Sequence, residues 1–203
     1  MNSEKEKIIN FASQKFLLEG FYKTTMDQLA AEMHMSKKTI YRNFSSKEEL
    51  VKIIAKRFMN NNAKLVEDVI GTKCNAVEKL VRIFETVGKI LTKTNERMLS
   101  DIHHYSPEQW KEIDDYRTKK MTVFLNNIIY QGQKEGYFLK IRPEILISVF
   151  IASVRAVVTP EFIINNRFTM IEALRGTIEI LMNGILTEKG KKIFKKLNYG
   201  VDK

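Results

Sequence analysis

The sequence predicts an all-α protein, and three observations support this prediction. Apolar residues recur at helical spacing through almost all of the 203 residues, and no segment alternates with the period of two that strands show. The 9 Gly and 3 Pro stand at a few discrete positions, where they mark turns and helix ends. Capping patterns precede several of the apolar stripes. We therefore expect about nine helices, of which three are short and precede a longer connecting helix.

Most of the predicted helices have a recognisable start or end. Ser or Thr followed three residues later by Glu or Gln is a capping-box pattern, Ser-Pro is a common helix start, and Gly often follows a helix end. The signals are, in chain order, Gly20, Thr25 with Gln28, Ser36, Ser46 with Glu49, Gly71, Ser106-Pro107, Gly136, Pro143 and Thr159-Pro160. Together with the apolar stripes they predict helices at about 8–19, 26–33, 36–43, 46–70, 75–94, 96–105, 107–135, 143–159 and 169–186.

The composition excludes several classes of protein. A hydrophobic share of 44% and a charged share of 29% are typical of a folded domain and exclude collagen-like and largely disordered chains. Cys74 is the single cysteine, which excludes a disulfide framework and suits a reducing compartment. Residues 1–7 are unlike a signal peptide, and the apolar run at 145–158 is too short to cross a membrane. We expect a cytoplasmic protein without membrane contact.

The net charge of +10 is concentrated at the two ends of the chain. Residues 1–57 and residues 188–203 each have a net charge of +4, whereas the long middle segment has only +2. Such basic regions favour a polyanionic partner. Lys47 stands at the predicted start of a helix, where a cation opposes the helix dipole, so a phosphate partner explains it better than helix stability does.

Two of the short helices have the spacing of a helix-turn-helix. A helix at about 26–33 is followed by a tight turn at 34–35 and a second helix at about 36–43. The second helix is polar, and chiefly Ile40 and Phe44 would hold it against its neighbours. A helix that enters the major groove needs this division between a surface of cations and hydroxyls and a few apolar anchors behind it.

Four stretches of this region resemble the N-terminal domain of TetR/AcrR-family transcriptional regulators. They are residues 20–25 (GFYKTT), Leu29-Ala30, residues 36–44 (SKKTIYRNF) and residues 46–50 (SKEEL). The resemblance implies that residues 1–57 form a three-helix helix-turn-helix DNA-binding domain. It implies that residues 58–203 form a helical effector-binding and dimerisation domain. The expected protein is a homodimer that binds double-stranded operator DNA, most often a repressor that a small-molecule effector releases from the operator.

By position, the resemblance implies eight DNA-contacting residues, which offer hydroxyls or cations to the groove and the phosphates: Thr25, Ser36, Lys37, Lys38, Thr39, Tyr41, Arg42 and Lys47. Tyr41 and Lys47 would hold phosphates, although Tyr41 could instead be a packing aromatic. Two positions depart from the family pattern. His34 stands in the turn where Gly is usual, so we expect a left-handed backbone there at a cost of about 1 kcal/mol. Lys38 replaces a commonly small residue and would reach further into the groove.

Six residues are candidates for effector binding: His104, Trp110, Arg117, Met121, Phe124 and Arg155. The first two lie in residues 103–110, which resemble a segment near the effector pocket of some family members. The next three share one face of a helix, and this stripe is either plain core or the lining of a cavity for a partly apolar effector. Arg155 lies in an apolar helix, where a buried cation must pair within the chain, reach solvent or meet an anionic ligand.

A face of small residues on the last predicted helix favours close contact with another helix; it consists of Ala173, Thr177, Ile180 and Gly184. We expect the homodimer to form through this helix and the one that starts at Pro143, with packing inside the chain as the alternative. The basic tail contains Lys189, Lys191, Lys192, Lys195 and Lys196. These lysines are either solvated or in accessory contact with DNA or another anionic surface.

No catalytic residue, metal site or cofactor is expected. The sequence contains no glycine-rich phosphate loop, no His-Glu-x-x-His and no Gly-x-Ser-x-Gly pattern. His103 and His104 are adjacent, so their side chains point apart on a helix. The competing interpretation is a non-regulatory helical protein that sequesters a lipid-like or aromatic ligand. Specific binding of double-stranded DNA distinguishes the two.

Overall fold

The structure is a computed structural model that describes residues 3–93 and 96–197. These residues form eleven α-helices: α1 (Glu4–Glu19), α2 (Met26–Glu32), α3 (Lys37–Asn43), α4 (Lys47–Ile70), α5 (Ala76–Lys93), α6 (Glu96–Tyr105), α7 (Pro107–Lys134), α8 (Pro143–Val157), α9 (Pro160–Asn166), α10 (Met170–Ile185) and α11 (Glu188–Lys196). The described part contains no strand, and its β-type pairing is a single isolated bridge between Phe138 and Leu186. The all-α prediction is confirmed.

The capping signals explain where several helices begin. Thr25 and Gln28 form the predicted capping box of α2, with the Thr25 hydroxyl oxygen accepting from Gln28 N–H and Gln28 Oε1 accepting from Thr25 N–H. Ser36 caps α3, because its hydroxyl oxygen accepts from Thr39 N–H at 3.0 Å. Gly136 ends the turn after α7 with a φ of +74°, a conformation that glycine adopts without steric cost.

The prediction of about nine helices was two short of the eleven described. Thr159-Pro160 marks the start of α9 as well as the end of α8, since the Thr159 hydroxyl accepts from Phe162 N–H. Thr187 caps α11 in the same way, through Gly190 N–H. Thr-Pro is a breaker for the helix before it and a cap with proline at the first position for the helix after it. The predicted helix ends used only the first role of Thr-Pro.

The capping box predicted for α4 is also different in detail. Glu49 N–H donates to the Ser46 hydroxyl at 3.2 Å, as expected. The Glu49 carboxylate does not return to Ser46, because Oε2 accepts from both the N–H and the hydroxyl of Ser45 at 2.7 Å. These hydrogen bonds lower the pKa of Glu49. Ser46 is therefore the cap of α4 as predicted, while the Glu49 carboxylate binds the residue before the cap.

The chain divides into two compact units, and the division falls inside α4 and inside α7. Unit 1 comprises Met1–Asn61 and Thr94–Asp115, and unit 2 comprises Asn62–Lys93 and Tyr116–Lys203. These units are geometric, so the functional division into 1–57 and 58–203 stays a prediction. Helix α6 and the first part of α7 therefore belong to the same compact unit as the helix-turn-helix.

The core of unit 1 joins the first four helices to α6 and α7. Leu29, Ile40 and Phe44 are fully buried in it. Ile102 of α6 and Ile113 of α7 belong to the same buried cluster, with exposed fractions of 1% and 8%. The apolar anchors of the helix-turn-helix are thus packed together with residues distant in the sequence.

Unit 2 is built from helices packed around aromatic and aliphatic side chains. Phe84 of α5 stacks on Phe150 of α8 with ring centroids 6.4 Å apart. The turn after α7 brings Phe138 into contact with the glycine surface at Gly132. No helix in the described residues is long and apolar enough to cross a membrane.

Candidate nucleic-acid interface

The turn between α2 and α3 has the geometry of a helix-turn-helix. His34 adopts a left-handed conformation with a φ of +53°, as predicted from the absence of Gly there. The chain then folds back, and Met35 N–H donates to the Ala30 carbonyl oxygen at 2.9 Å. Ser36 follows as the cap of α3. The two short helices are therefore joined by a turn that hydrogen bonds fix at both ends.

The third helix separates apolar anchors from a polar surface. Ile40 and Phe44 are fully buried on one side, while Lys37, Lys38 and Arg42 are exposed on the other. Tyr41 is 48% exposed and so is not a core aromatic in this structure. An exposed row of cations over a narrow apolar base is the arrangement that a recognition helix requires.

Two of the cations on α3 are paired with carboxylates of earlier helices. Lys37 Nζ lies 2.5 Å from Asp27 Oδ2, and this hydrogen bond raises the pKa of Lys37. Arg42 Nη2 lies 2.7 Å from Glu4 Oε2. The pKa of the Glu4 carboxyl is lowered most by the hydrogen bond from Asn43 and next by the one from Arg42. Exposed pairs of this kind contribute little to stability and separate easily when a phosphate competes.

The remaining α3 cation, Lys38, has no hydrogen-bond or ion-pair partner among the described residues. The hydroxyls predicted to contact DNA have local roles. The Ser36 hydroxyl lies 2.9 Å from that of Thr39, and the Thr25 hydroxyl serves the capping box. These hydrogen bonds fix the starts of α2 and α3. Each hydroxyl can still make a further hydrogen bond to a phosphate, since a hydroxyl has one donor and two acceptor sites. Their DNA contacts stay a prediction.

Lys47 at the start of α4 is held by neutral groups. Its Nζ donates to the Tyr22 carbonyl oxygen at 3.2 Å and lies 4.4 Å from the centroid of the Phe21 ring. Partial burial is the largest influence on this amine and lowers its pKa, while Glu48 and Asp101 act in the opposite direction. The ammonium is therefore oriented without being paired to a carboxylate.

Sequence reasoning missed a basic residue beside the recognition helix. Lys5 of α1 lies over the Phe44 ring, with Nζ 5.1 Å from the centroid. It also missed the carboxylates Glu4 and Asp27 that occupy two of the α3 cations. The excess of charged residues in α1 was visible, but the contacts depend on how α1 crosses α3, which helical periodicity does not indicate.

The effector candidates are divided between the two units. His104 and Trp110 lie in unit 1, and Trp110 packs against the unit 1 core. The ring that meets Trp110 is that of His103, at 4.9 Å, while His104 lies against Tyr105 at 4.8 Å. A role for Trp110 in this core is thus established, and a role in effector binding stays a prediction.

The other four candidates lie in unit 2. Arg117, Met121 and Phe124 are half-buried along α7, as expected of a helix face that is neither full core nor free surface. Arg155 is exposed on α8. This exposure agrees with the alternative that Arg155 reaches solvent, since the buried face of α8 consists of Leu146, Ile147, Phe150 and Val154. The described residues contain no group of three or more metal-binding side chains.

The face of small residues on α10 is arranged differently from the prediction. Ala173 and Thr177 are buried inside unit 2, whereas Ile180 is 75% exposed. The exposed row is instead Gly176, Ile180 and Gly184. A Cβ atom added at either glycine would meet nothing within 4 Å. Contacts within the described chain therefore do not require glycine at these two positions.

Part of the basic tail has a structural role. Lys189 Nζ donates to the Glu135 carbonyl oxygen at 3.0 Å, at the end of α7, and lies 4.5 Å from the centroid of the Tyr137 ring. A cation at that end is favourable to the helix dipole. Lys191 pairs with Glu188 at 2.9 Å. The other three lysines, Lys192, Lys195 and Lys196, are exposed. For these three, both alternatives remain: solvation, or accessory contact with DNA or another anionic surface.

Residues 8–54, which contain this helix-turn-helix, match the sequence model of the family described as bacterial regulatory proteins, tetR family. The match covers less than a quarter of the chain and shows that this segment is similar to the tetR family. Proteins of that family are transcriptional regulators and not enzymes. A solved transcriptional regulator of the TetR/AcrR family has a fold similar to that of this chain.

Two relatives match over most of the chain. The HTH-type transcriptional regulator YvaF of Bacillus subtilis is 24% identical over 166 residues, which are 81% of this chain and 87% of YvaF. The HTH-type transcriptional repressor KstR2 of Mycobacterium tuberculosis is 23% identical over 149 residues, which are 71% of this chain and 72% of KstR2.

Two solved structures show that the similarity in fold extends beyond the helix-turn-helix. The ketosteroid transcriptional regulator KstR2 aligns over 93% of this chain and 97% of its own, with a TM-score of 0.58 and 20% identity. A transcriptional regulator from Saccharomonospora viridis in complex with choline aligns over 91% and 98%, with a TM-score of 0.71 and 15% identity.

Proposed function

We propose that this protein is a homodimeric repressor of the TetR family that a small-molecule effector releases from its operator. The observation that supports the DNA-binding half of this proposal is the polar face of α3. Lys37, Lys38 and Arg42 are exposed over the buried anchors Ile40 and Phe44. The predicted contacts are those of Thr25, Ser36, Lys37, Lys38, Thr39, Tyr41, Arg42 and Lys47.

Lys38 is the residue we assign to base recognition. It is exposed, has no partner among the described residues, and lies in the first turn of α3, the part of a recognition helix that contacts base edges. Lys47 and Tyr41 would instead contact phosphates, which position the helix without reading sequence. A bacterial operator lies in the cytoplasm, so we propose the same location for this protein.

The dimer is proposed to form through α8 and α10. Ile145 and Val149 of α8 are about half exposed, and Ile180 of α10 is three-quarters exposed. Gly176 and Gly184 flank Ile180 with open space at each Cβ position, which allows another helix to approach closely. A glycine inside a helix costs about 1 kcal/mol relative to Ala, and a contact between subunits would compensate for that cost. A twofold dimer presents two α3 helices to half-sites about one helical turn apart.

The effector is proposed to bind the half-buried side of α7, where Arg117, Met121 and Phe124 follow each other at helical spacing. These side chains suit a molecule that is mainly apolar with a polar or anionic group. KstR2 is a ketosteroid regulator, and the Saccharomonospora viridis protein binds choline. These two ligand types are therefore reasonable first compounds. An effector that favours the conformation with lower DNA affinity weakens DNA binding by linkage.

The test is a selection of duplexes from a random-sequence pool with the purified full-length protein, followed by titrations at several salt concentrations. The expected result is one enriched, twofold-symmetric site that binds tightly and is released by an effector from a compound panel including choline and ketosteroids. The double variant Lys37→Ala, Lys38→Ala is the matched control and should enrich no site. The regulator hypothesis fails if the wild-type protein enriches no sequence at any salt concentration. The sequestering protein considered above would then be favoured if the panel still yields a ligand.

A further inference from the structure

Tyr22, in the turn between α1 and α2, contacts two different helices of unit 1 through three different groups. Its N–H donates to Asp101 Oδ2 of α6 at 3.2 Å. Its ring stacks on Tyr105 of α6, with centroids 4.1 Å apart and planes inclined by 22°. Its carbonyl oxygen accepts from Lys47 Nζ of α4 at 3.2 Å. Tyr22 is thus fixed by α6 on one side and orients the first turn of α4 on the other.

The two α6 residues are placed to act together. Asp101 and Tyr105 are four residues apart, so they lie on the same face of α6. Ile102, between them, is 1% exposed and belongs to the buried cluster that also contains the helix-turn-helix anchors. The face of α6 that meets Tyr22 is therefore held by the same core that supports the recognition helix.

Lys47 differs from the paired cations on α3 in the charge of its partners. Lys37 and Arg42 meet carboxylates, which neutralise them until a phosphate competes. The partners of Lys47 are a carbonyl oxygen and an aromatic ring, both neutral. An ammonium has three donors, so two remain after the bond to Tyr22. A half-buried and oriented ammonium loses less side-chain entropy on binding a phosphate than a free lysine does.

We propose that Asp101 and Tyr105 are positioning residues for DNA binding, which fix Tyr22 so that its carbonyl oxygen orients Lys47 toward a backbone phosphate. Both residues lie within the predicted effector-binding part of the chain, 58–203, so this part would contribute to DNA affinity without touching DNA. The inference rests on the phosphate contact of Lys47 in the function proposed above.

The test is a double-mutant cycle measured by fluorescence anisotropy with a labelled, mixed-sequence duplex of about 30 base pairs. A phosphate contact is independent of sequence, so the experiment does not need the operator. Tyr105→Ala and Asp101→Ala should each weaken binding by about 3- to 10-fold in the wild-type background. In the Lys47→Ala background the same two changes should each have an effect of less than about 2-fold.

Conservative variants separate positioning from charge and from folding. Tyr105→Phe keeps the stacked ring and should bind like the wild type. Asp101→Asn keeps an oxygen that accepts from Tyr22 N–H but loses the charge, so it should bind at least as tightly as the wild type. The thermal unfolding midpoint is measured for every variant. If Tyr105→Ala does not fold, the comparison of Asp101→Ala with Asp101→Asn decides alone.

The outcomes distinguish this inference from the proposed function. If the wild-type protein binds no duplex, the regulator proposal fails and this inference with it. If it binds, but the α6 variants weaken binding equally with and without Lys47, the positioning role is wrong while the regulator proposal stands. An unchanged affinity in Lys47→Ala also overturns the positioning role, because there is then no phosphate contact to position.

Discussion

Lys37 of the recognition helix is hydrogen-bonded to Asp27 of the preceding helix, with Nζ and Oδ2 2.5 Å apart. Both side chains are at least half exposed, so the pair adds little stability and is accessible to a competing phosphate. The DNA contact proposed for Lys37 would require this pair to separate. We therefore expect Asp27 to reduce the affinity for any duplex, both by occupying Lys37 and by repelling the phosphates.

Asp27→Asn is expected to bind a mixed-sequence duplex roughly 2- to 5-fold more tightly at low salt, because the phosphate no longer competes with a carboxylate. Anisotropy titrations over a salt series measure this. The matched control is Glu19→Gln, which removes the same charge from a residue that pairs with Lys15 instead. An equal gain in both variants would mean that only net charge matters. A gain that persists in a Lys37→Ala background would contradict the role of the pair.

Lys47 and Lys38 should have different effects on DNA binding. Lys47→Ala is expected to weaken binding to all sequences alike and to reduce the slope of log affinity against log salt by about one unit. Lys38→Ala is expected to change which sequence is preferred, with a cost of about 1–3 kcal/mol at the affected base pair. Selection from a random pool, with both variants beside the wild type, measures the two properties together. Identical preferred sites for Lys38→Ala and the wild type would contradict the assignment of Lys38 to base recognition.

Local sequence signals predicted the elements well, because the groups that satisfy a helix start are near in sequence. Thr25 and Gln28 cap α2 as expected, and His34 has the left-handed backbone expected of the turn. Local signals were insufficient where one pattern marks both the end of a helix and the start of the next. Thr159-Pro160 ends α8 and starts α9, and only the packing of the following residues shows that a helix continues.

The contacts that define the candidate interface were not predictable in the same way. Asp27 is ten residues from Lys37, and Tyr22 is far along the chain from Tyr105. Such pairs depend on how helices cross, and periodicity shows which face of a helix is apolar but not what that face meets. For the same reason the apolar composition of α8 left open whether Arg155 reaches solvent, and the structure places it on the exposed side.

Gly190 of α11 lies against the backbone of Tyr137, and a Cβ atom there would overlap the carbonyl oxygen. Gly190→Ala must therefore shift α11 or the turn after α7, and we expect a loss of about 1–3 kcal/mol in the free energy of unfolding. Gly71→Ala is the control, since its Cβ would have ordinary contacts at 3.6 Å or more. Chemical denaturation of both variants measures the difference. Equal stability of Gly190→Ala and the wild type would show that α11 is not docked as described.

The proposed dimer contact depends on Ile180, which is 75% exposed between two glycines of α10. Ile180→Glu should convert the dimer to a monomer at micromolar concentration, since an unpaired carboxylate would be buried in the contact. Ile164→Glu is the matched control, because Ile164 is 67% exposed on α9 and lies outside the proposed contact. Sedimentation equilibrium measures both. A wild-type monomer, or a dimer that Ile180→Glu leaves intact, would contradict the proposal.

Glu6 and Arg57 connect α1 to α4 through two parallel hydrogen bonds, Nη1 to Oε2 at 2.8 Å and Nη2 to Oε1 at 2.7 Å. The hydrogen bond from Arg57 lowers the pKa of the Glu6 carboxyl below its ordinary 4.5. A lowered pKa means that the folded protein binds this proton less readily than the unfolded chain does. The stabilisation is therefore complete above the ordinary pKa and is lost as the pH falls through the lowered value.

Glu6→Gln should consequently lower the thermal unfolding midpoint at neutral pH by at most about 2 °C, since both side chains are partly exposed. The difference from the wild type should shrink as the solution is acidified and vanish once Glu6 is protonated in both states. Arg57→Lys keeps the charge but loses the two-point contact, so it should resemble Glu6→Gln at neutral pH. Calorimetric scans over a pH series provide the measurement. A difference that stays constant down to low pH would show that Glu6 acts through packing and not through its charge.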